Sequence, residues 1–273
     1  MSLPWRRRSS GWSVMKVNRS SSLDALFAVM VNELKIISRE PGGLALLIIL
    51  PYFIAGGMAF IASFFVKVTS GVFIRQFIGF EVLMLSMIMM QTGARFLWEE
   101  KRGGRLEFLL ASPTSMYVIL LGTSLVMILV NIGAFTIASL PLFYMEYGLI
   151  GALRLALALL LLFIGLLPLY GIGLLIAGLV MRLNDADSVT NVLTPILTIL
   201  SGTTYPVYVL PWWIKELIYA LPMYITFYSM YLESIGHEEL TLIIYLITAT
   251  IIYLLLGMTS YARLERGFRS RGI

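Results

Sequence analysis

The uncharged stretch Leu155–Met181, LALALLLLFIGLLPLYGIGLLIAGLVM, decides the fold class. A helix needs about 20 mainly apolar residues to cross a bilayer, and this run exceeds that length without Asp, Glu, Lys, Arg or His. Of the 273 residues in the chain, 59% are hydrophobic and only 13% are charged, whereas soluble domains carry roughly 25% charged residues. The sequence therefore predicts an all-α membrane protein and excludes a water-soluble globule.

Five further segments are long and apolar, so we expect six transmembrane helices. Four of the five contain no charged residue, and the remaining one, Phe77–Trp98, carries Glu81 near one end and Arg95 near the other. The six predicted spans are about 44–66, 77–98, 116–143, 155–181, 188–205 and 240–262.

Basic residues are distributed unevenly between the two sides of this layout. If the N-terminus is cytoplasmic, sixteen Lys and Arg residues fall on the cytoplasmic side and only Lys67, Arg75, Arg154 and Lys215 fall outside. The positive-inside rule then places both termini in the cytoplasm. Because this requires an even number of crossings, we expect residues 217–232 to enter and leave from the outer face. The positive-inside distribution thus accounts for the net charge of +5, and no nucleic-acid partner is expected.

The chain is expected to have four parts. These are a basic N-terminal tail at 1–22, an amphipathic helix at 23–41, the six-helix transmembrane domain at 42–262 and a basic cytoplasmic tail at 263–273. Within the transmembrane domain we expect a charged cytoplasmic loop at 99–115 and a re-entrant outer segment at 206–235.

The amphipathic helix precedes the first span. Apolar residues recur at three- and four-residue steps, Ser22 is a candidate N-cap, and Pro41 stops the helix. Basic residues on its polar face indicate that it lies flat in the inner headgroup layer. The candidate residues of this helix are Leu26, Phe27, Met30, Leu34, Lys35 and Arg39.

The loop at 99–115 is the densest charge cluster of the chain. Residues 105–110 are expected to form a short helix, and Pro113 disfavours its continuation into the third span. The mixture of acids, bases and leucines indicates a docking surface for another protein rather than a simple turn. Its candidate residues are Glu99, Glu100, Arg102, Arg105, Leu106, Glu107, Leu109 and Leu110.

Two further groups of residues each allow two interpretations. A polar stripe on the fifth span either packs helices together or lines a pathway; it consists of Thr190, Asn191, Thr194, Thr198 and Ser201. Aromatic residues of the outer segment form either an interfacial belt or an outer gate that offers rings to an amphiphilic substrate. The gate candidates are Tyr205, Tyr208, Trp212, Trp213, Tyr224 and Phe227.

No motif for an energy-supplying or catalytic reaction is present. None of the five lysines follows a glycine, so a phosphate-binding loop is excluded. The chain has no cysteine and one histidine, His237, and we predict neither a metal site nor a catalytic residue. Energy must therefore come from a gradient or from a separate subunit. The alternatives are a gradient-driven carrier or channel, and an intramembrane lipid-modifying enzyme that uses Glu81 or His237 as its acid–base group.

Three blocks of the sequence resemble the ABC type-2 (ABC-2) transporter permeases. Residues 104–113, GRLEFLLASP, are similar to the family loop E-x-x-x-G-T-L-E-x-L-L-x-S-P, with Arg105 where threonine is usual. Residues 201–211 resemble the family pattern S-G-x-x-Y-P-x-x-x-L-P, and Pro222 follows where the family has N-P-L. The amphipathic segment that ends at 33–41 resembles the connecting helix of the family.

The resemblance implies a permease subunit that forms the pathway for ATP-driven export of a drug, lipid or glycan. It implies a pair of permeases, which we expect to be identical, and two cytoplasmic ATPase subunits that hold ATP and magnesium, so this chain itself carries no cofactor. The stretch 99–110 would be the coupling helix that sits in a cleft on the ATPase. Spans one, two and five would face the partner permease, and residues 206–234 would close the exit. The expected location is the cytoplasmic membrane of a prokaryote, with membrane lipid as a further partner.

Overall fold

The structure is a computed structural model that describes residues 22–64, 70–112, 114–183, 186–235 and 240–271. These residues form α-helices and one 3-10 helix, with no β-strand among them, which confirms the predicted all-α fold. The helices are α1 Ser22–Ile37, α2 Pro41–Ser63, α3 Ser70–Arg102, α4 Leu106–Ala111, α5 Met116–Leu183, α6 Ala186–Ser201, the 3-10 helix Val207–Val209, α7 Trp212–Ala220, α8 Pro222–Ile235 and α9 Leu240–Arg271.

Helix α5 consists of two arms that meet at Gly148. This residue has φ 60° and ψ −144°, a conformation that glycine adopts without the steric penalty of a side chain. Residues 143 and 151 would lie about 12 Å apart along a continuous helix, yet a Cβ atom at Gly151 would collide with the carbonyl group of Phe143. The chain therefore turns back on itself here, between the third and fourth predicted spans.

The two arms of α5 lie side by side against α3. A Cβ atom at Gly93 of α3 would be 3.8 Å from Leu120 in the first arm and 3.8 Å from Ala177 in the second arm. Two residues so far apart in sequence reach the same level of the bundle only if the arms run in opposite directions. Helices α1, α2, α3, α8 and α9 all pack on α5, which makes it the centre of the fold.

Glycines bring the second arm of α5 into backbone contact with its neighbours. A Cβ atom at Gly257 of α9 would collide with the backbone of Gly171, and one at Gly171 would collide with the carbonyl group of Tyr253. A Cβ atom at Gly165 would likewise collide with the side chain of Thr226 in α8. Small residues allow such close helix crossings in membranes, where apolar burial alone does not hold helices together.

The bundle has two distinct ends. At one end, α1 packs against the start of α5, where a Cβ atom at Gly122 would lie 2.8 Å from Val29 Cγ1, and α4 connects α3 to α5. At the other end, the backbone after α6 contacts α3, since a Cβ atom at Gly79 would collide with the carbonyl of Thr203. We call these the α1–α4 end and the α7–α8 end.

The length and composition of the helices identify a multi-pass membrane protein. Within the part of the chain that the structure describes, Gly71–Arg102, Met116–Met181 and Ile243–Arg263 are each long and apolar enough to cross a bilayer. A fourth candidate is the pair Ser22–Ile37 and Pro41–Gly57, which is bent by 83°. In α6 the apolar stretch Asn191–Ser201 is shorter than a full span. The count of six spans stays a prediction.

Several predicted parts lie partly outside the described residues. The N-terminal tail up to residue 21, His237, and the side chains of Leu110 and Thr190 belong to this group. The predicted outer segment contains the 3-10 helix, α7 and α8, and α9 continues to Arg271 through the segment expected to be a basic tail.

The contact between α5 and α9 leaves no room for a methyl group. We expect Gly171→Ala and Gly257→Ala each to destabilise the chain by about 1–3 kcal/mol, because backbone atoms must separate to admit the new carbon. The measurement is the thermal unfolding midpoint of the detergent-solubilised protein. Gly133→Ala is the matched control, since no atom lies within 4 Å of a Cβ at that position. Equal midpoints for all three variants would contradict the described crossing.

Candidate functional site: the α1–α4 surface

The turn between α3 and α4 is held by one ion pair. Gly104 adopts φ 67°, which ends α3 and redirects the chain. Arg105 then donates from Nε and from a terminal nitrogen to the two carboxylate oxygens of Glu100, each over 2.9 Å. This two-bond geometry has more directional specificity than a single contact. It holds the start of α4 against the last turn of α3, and the hydrogen bonds raise the pKa of Arg105.

Helix α4 has one side that packs on the bundle and one side that faces outward. Leu106 is only 4% exposed and belongs to the core, and Leu109 packs against that core. Phe108 is 77% exposed, and Glu107 beside it is exposed as well. The outward side therefore combines one large ring with one carboxylate. An exposed aromatic residue next to an anchored leucine is typical of a protein contact.

Our sequence reasoning missed Phe108. It selected Leu106, Leu109 and Leu110 because they share one helical face, and Phe108 falls outside that face. The sequence nevertheless contained a signal, because a phenylalanine that is out of phase with the leucine stripe of a short helix faces away from the packed side.

A cavity of about 470 Å³ separates α1 from α3 and α5 at this end. Its lining brings Glu33 of α1 close to Glu99, Glu100 and Arg105, three predicted residues of the loop, whereas none of the residues predicted for α1 lines it. Four carboxylates and two guanidinium groups contribute, together with polar residues of α3 and α5. The charged residues are Glu33, Glu40, Arg95, Glu99, Glu100 and Arg105, and the polar ones are Gln91, Thr92 and Thr123.

The electrostatics of this cavity are visible at Glu33. Partial burial raises the pKa of Glu33 above its usual value, and the neighbouring carboxylates of Glu99 and Glu100 raise the pKa further. Desolvation and like charges both favour the protonated acid. The carboxylates at the end of α3 therefore repel the ionised form of Glu33, which lies in the second half of α1.

Helix α1 uses only part of its apolar surface against the bundle. Leu26 and Val29 approach Gly122 of α5, whereas Leu23 and Phe27 are largely exposed. Among the remaining predicted residues, Met30 is half-buried, and Leu34, Lys35 and Arg39 are exposed.

The predicted polar stripe is mostly hydrogen-bonded within the bundle. Gln91 of α3 donates to Thr194 Oγ1 over 3.2 Å, which joins α3 to α6. The hydroxyls of Thr198 and Ser201 donate to backbone carbonyls of their own helix over 2.8 Å. Asn191 is exposed. These contacts suit helix packing, and the pathway role stays a prediction.

The predicted gate residues are divided between exposed and packed positions. Tyr208, Trp212 and Trp213 are exposed, as expected of an interfacial belt. Phe227 is buried under the guanidinium group of Arg75, which lies 5.3 Å from the ring centroid. The hydroxyl of Tyr205 donates to the carbonyl of Ile199, and Tyr224 stacks among other tyrosines.

The fold and these surfaces define a multi-pass helical membrane protein with a charged surface at one end. The family model for the ABC-2 type transporter matches residues 24–232, well over half of the chain. The chain belongs to the ABC-2 type transporter family and is a permease of an ABC transporter, a class that works with an ABC ATPase subunit. Among curated proteins, no sequence matches the chain.

Because the pKa of Glu33 is raised, the docking of α1 on the bundle should depend on pH in a defined direction. The folded chain binds a proton at this site more readily than the unfolded chain, so α1 docking strengthens as the pH falls through the raised pKa and weakens as the pH rises. We expect Glu33→Gln to remove this dependence and to slow hydrogen exchange of α1 amides a few-fold at pH 7. Glu107→Gln, an exposed carboxylate on α4, is the control and should behave like the parent protein. Faster exchange in Glu33→Gln would contradict the described repulsion.

Proposed function

We propose that this chain forms the translocation pathway for ATP-driven export of a drug, lipid or glycan from the cytoplasm. Two identical permeases would assemble with two ABC ATPase subunits, and ATP and magnesium would bind to the ATPase. The observation that supports this proposal most directly is α4, which is anchored by buried Leu106 and presents Phe108 and Glu107 outward. Helix α4 would be the coupling helix.

The surroundings of α4 suit the transmission of force. The pair of bonds between Arg105 and Glu100 joins it to α3, and extended backbone at Ser112 separates it from α5. A push on Phe108 would therefore reach α3 through the ion pair, and the core through Leu106. ATP can favour the outward-open state only if the ATPase binds that state more tightly than the inward state. We propose that α4 and α1 supply this difference in contact energy.

The proposed topology has six crossings. These are α2, α3, the two arms of α5, α6 and α9, with both termini in the cytoplasm. The 23 residues of α2 span about 35 Å, which matches a hydrocarbon core of about 30 Å. Helices α7 and α8 would be the re-entrant pair that closes the exit on the outer side. The exposed apolar residues Phe53, Val192 and Ile199 lie on α2 and α6 and would meet lipid or the partner permease.

One observation favours a gradient-driven carrier as the second candidate. Glu81 of α3 is 1% exposed, and its Oε1 atom has no hydrogen-bond partner among the described residues. Ionisable groups inside a membrane often mark proton or ion routes. No further carboxylate of the described spans shares this environment, which makes a relay less suitable than an ATPase-driven mechanism.

Phe108 provides the sharpest test of the coupling role. We expect Phe108→Ala to weaken binding of the cognate ABC ATPase subunit at least tenfold, or about 1.4 kcal/mol, because a large exposed ring at an interface centre contributes disproportionately. Charge reversal of Glu99, Glu100 and Glu107 should also reduce binding and abolish ATP-dependent export. The measurements are equilibrium binding to the purified permease and ATP hydrolysis by the assembled complex.

Tyr208→Ala is the matched control, because Tyr208 is equally exposed but lies in the 3-10 helix at the opposite end. It should leave ATPase binding unchanged. If Phe108→Ala and the charge reversals also leave binding unchanged, α4 is not the coupling helix.

The second candidate function has its own test. In vesicles that contain the permease alone, with a proton gradient and no nucleotide, we expect no uphill accumulation of the amphiphilic dye rhodamine 6G. Accumulation that disappears in Glu81→Gln would establish a gradient-driven carrier and overturn the proposed dependence on ATP. Vesicles with Gln91→Ala permease would control for general damage to α3.

A further inference from the structure

A second cavity, of about 490 Å³, lies between α7, α8 and α9. Tyrosines from all three helices line it, and one carboxylate joins them. The lining residues used below are Glu216 and Tyr219 of α7, Tyr224 and Tyr228 of α8, and Tyr245 of α9. We call this cavity the tyrosine pocket.

The rings of the tyrosine pocket are held against one another. Tyr224 and Tyr228 stack with centroids 5.8 Å apart and planes 9° from parallel. Tyr219 packs on Tyr224 with centroids 5.2 Å apart. Tyr224 is thereby fixed between two neighbours, while Tyr245 contributes from a separate helix. Four electron-rich rings thus line one space, and aromatic rings attract organic cations.

The charge of the pocket has the matching sign. Glu216 is the only charged residue in the lining, and it forms no ion pair with a basic side chain that the structure describes. Lys215 precedes it on α7 and Arg75 stacks on Phe227; neither lines the cavity, although the charge of Arg75 also acts on Tyr224. A carboxylate beside aromatic rings attracts a cation by charge, and the rings accommodate its alkyl groups.

We propose that the tyrosine pocket binds an alkylammonium group carried by an amphiphile. Ala220 and Ile225 complete the lining with apolar surface for the part next to the charge. Only a cation gains charge attraction from Glu216, whereas a neutral sugar would use the same carboxylate and phenolic hydroxyls through hydrogen bonds alone. A choline lipid headgroup and a soluble cationic amphiphile share the proposed chemistry. The claim that the pocket lies on the export route rests on the proposed function, whereas the claim that it binds an alkylammonium group does not.

The test compares a cation with its neutral isostere. Choline and 3,3-dimethyl-1-butanol have nearly the same shape and differ in charge, and dodecyltrimethylammonium adds an apolar tail. Binding is measured by calorimetry with the full chain, without ATPase, in polyoxyethylene-ether micelles, which carry neither charge nor sugar. Empty micelles give the blank. We expect choline to bind at least tenfold more tightly than the neutral alcohol, and the tailed cation more tightly than choline.

The variants assign the site. Glu216→Gln should weaken binding of dodecyltrimethylammonium about five- to tenfold, and Tyr224→Leu and Tyr245→Leu should also weaken it. Tyr245 is 61% exposed, so its replacement does not disturb the core if Tyr224→Leu impairs folding. Tyr208→Leu, an exposed tyrosine outside the pocket, is the control and should bind like the parent protein.

Several outcomes would overturn the proposal. These are equal binding of choline and the alcohol, parent-like binding by both Glu216→Gln and Tyr245→Leu, or tighter binding of maltotriose than of the cations. Lysophosphatidylcholine that binds more tightly than dodecyltrimethylammonium would identify a lipid headgroup as the source, and the reverse order a soluble amphiphile. If the cation does not bind, the proposed ATPase coupling through Phe108 is unaffected. If Phe108 does not contribute to ATPase binding, cation binding in the tyrosine pocket is unaffected. The two results can therefore be distinguished.

Discussion

Close backbone packing around α5 is the constraint on which the rest of this structure depends. Lipid is as apolar as leucine, so helices in a membrane gain little by burying leucines against each other. They associate where backbones can approach, and Gly165 and Gly171 of α5, with Gly257 of α9, provide such places. The reversal of the chain at Gly148 adds to this packing, because it brings both arms of α5 into contact with α3. The loop helices at both ends are positioned by this core.

The two ends of the bundle differ in the chemistry of their side chains. The α1–α4 end has a charged cavity and an ion pair between Arg105 and Glu100, which suits an aqueous protein contact. The α7–α8 end has stacked tyrosines and exposed tryptophans, which suit the boundary between lipid and water. In the proposed mechanism, one end would receive force from the ATPase and the other would release cargo. The helices between them carry few charges, so any motion passes through packing contacts.

Composition and periodicity were enough to predict the all-α membrane fold and, with the motifs around Gly104 and Ser201, the family. They were not enough for the details of the site. Leu106 and Phe108 are both apolar and lie two residues apart, and packing against the core buries Leu106 while Phe108 stays exposed. The carboxylates of Glu33 and Glu99 are distant in sequence, so their proximity required the fold. The tyrosine pocket likewise joins three helices, and a single-helix pattern cannot reveal it.

The exposed ring of Phe108 also has a consequence for the stability of the protein in the cell before it assembles with its partner. If α4 is the coupling helix, a newly made permease without its ATPase would offer this apolar side chain to the cytosol, where chaperones and proteases recognise such features. Capture by the ATPase would hide it. Cellular levels of the two subunits would then rise and fall together, because proteases would degrade a permease whose Phe108 ring is not covered by the ATPase.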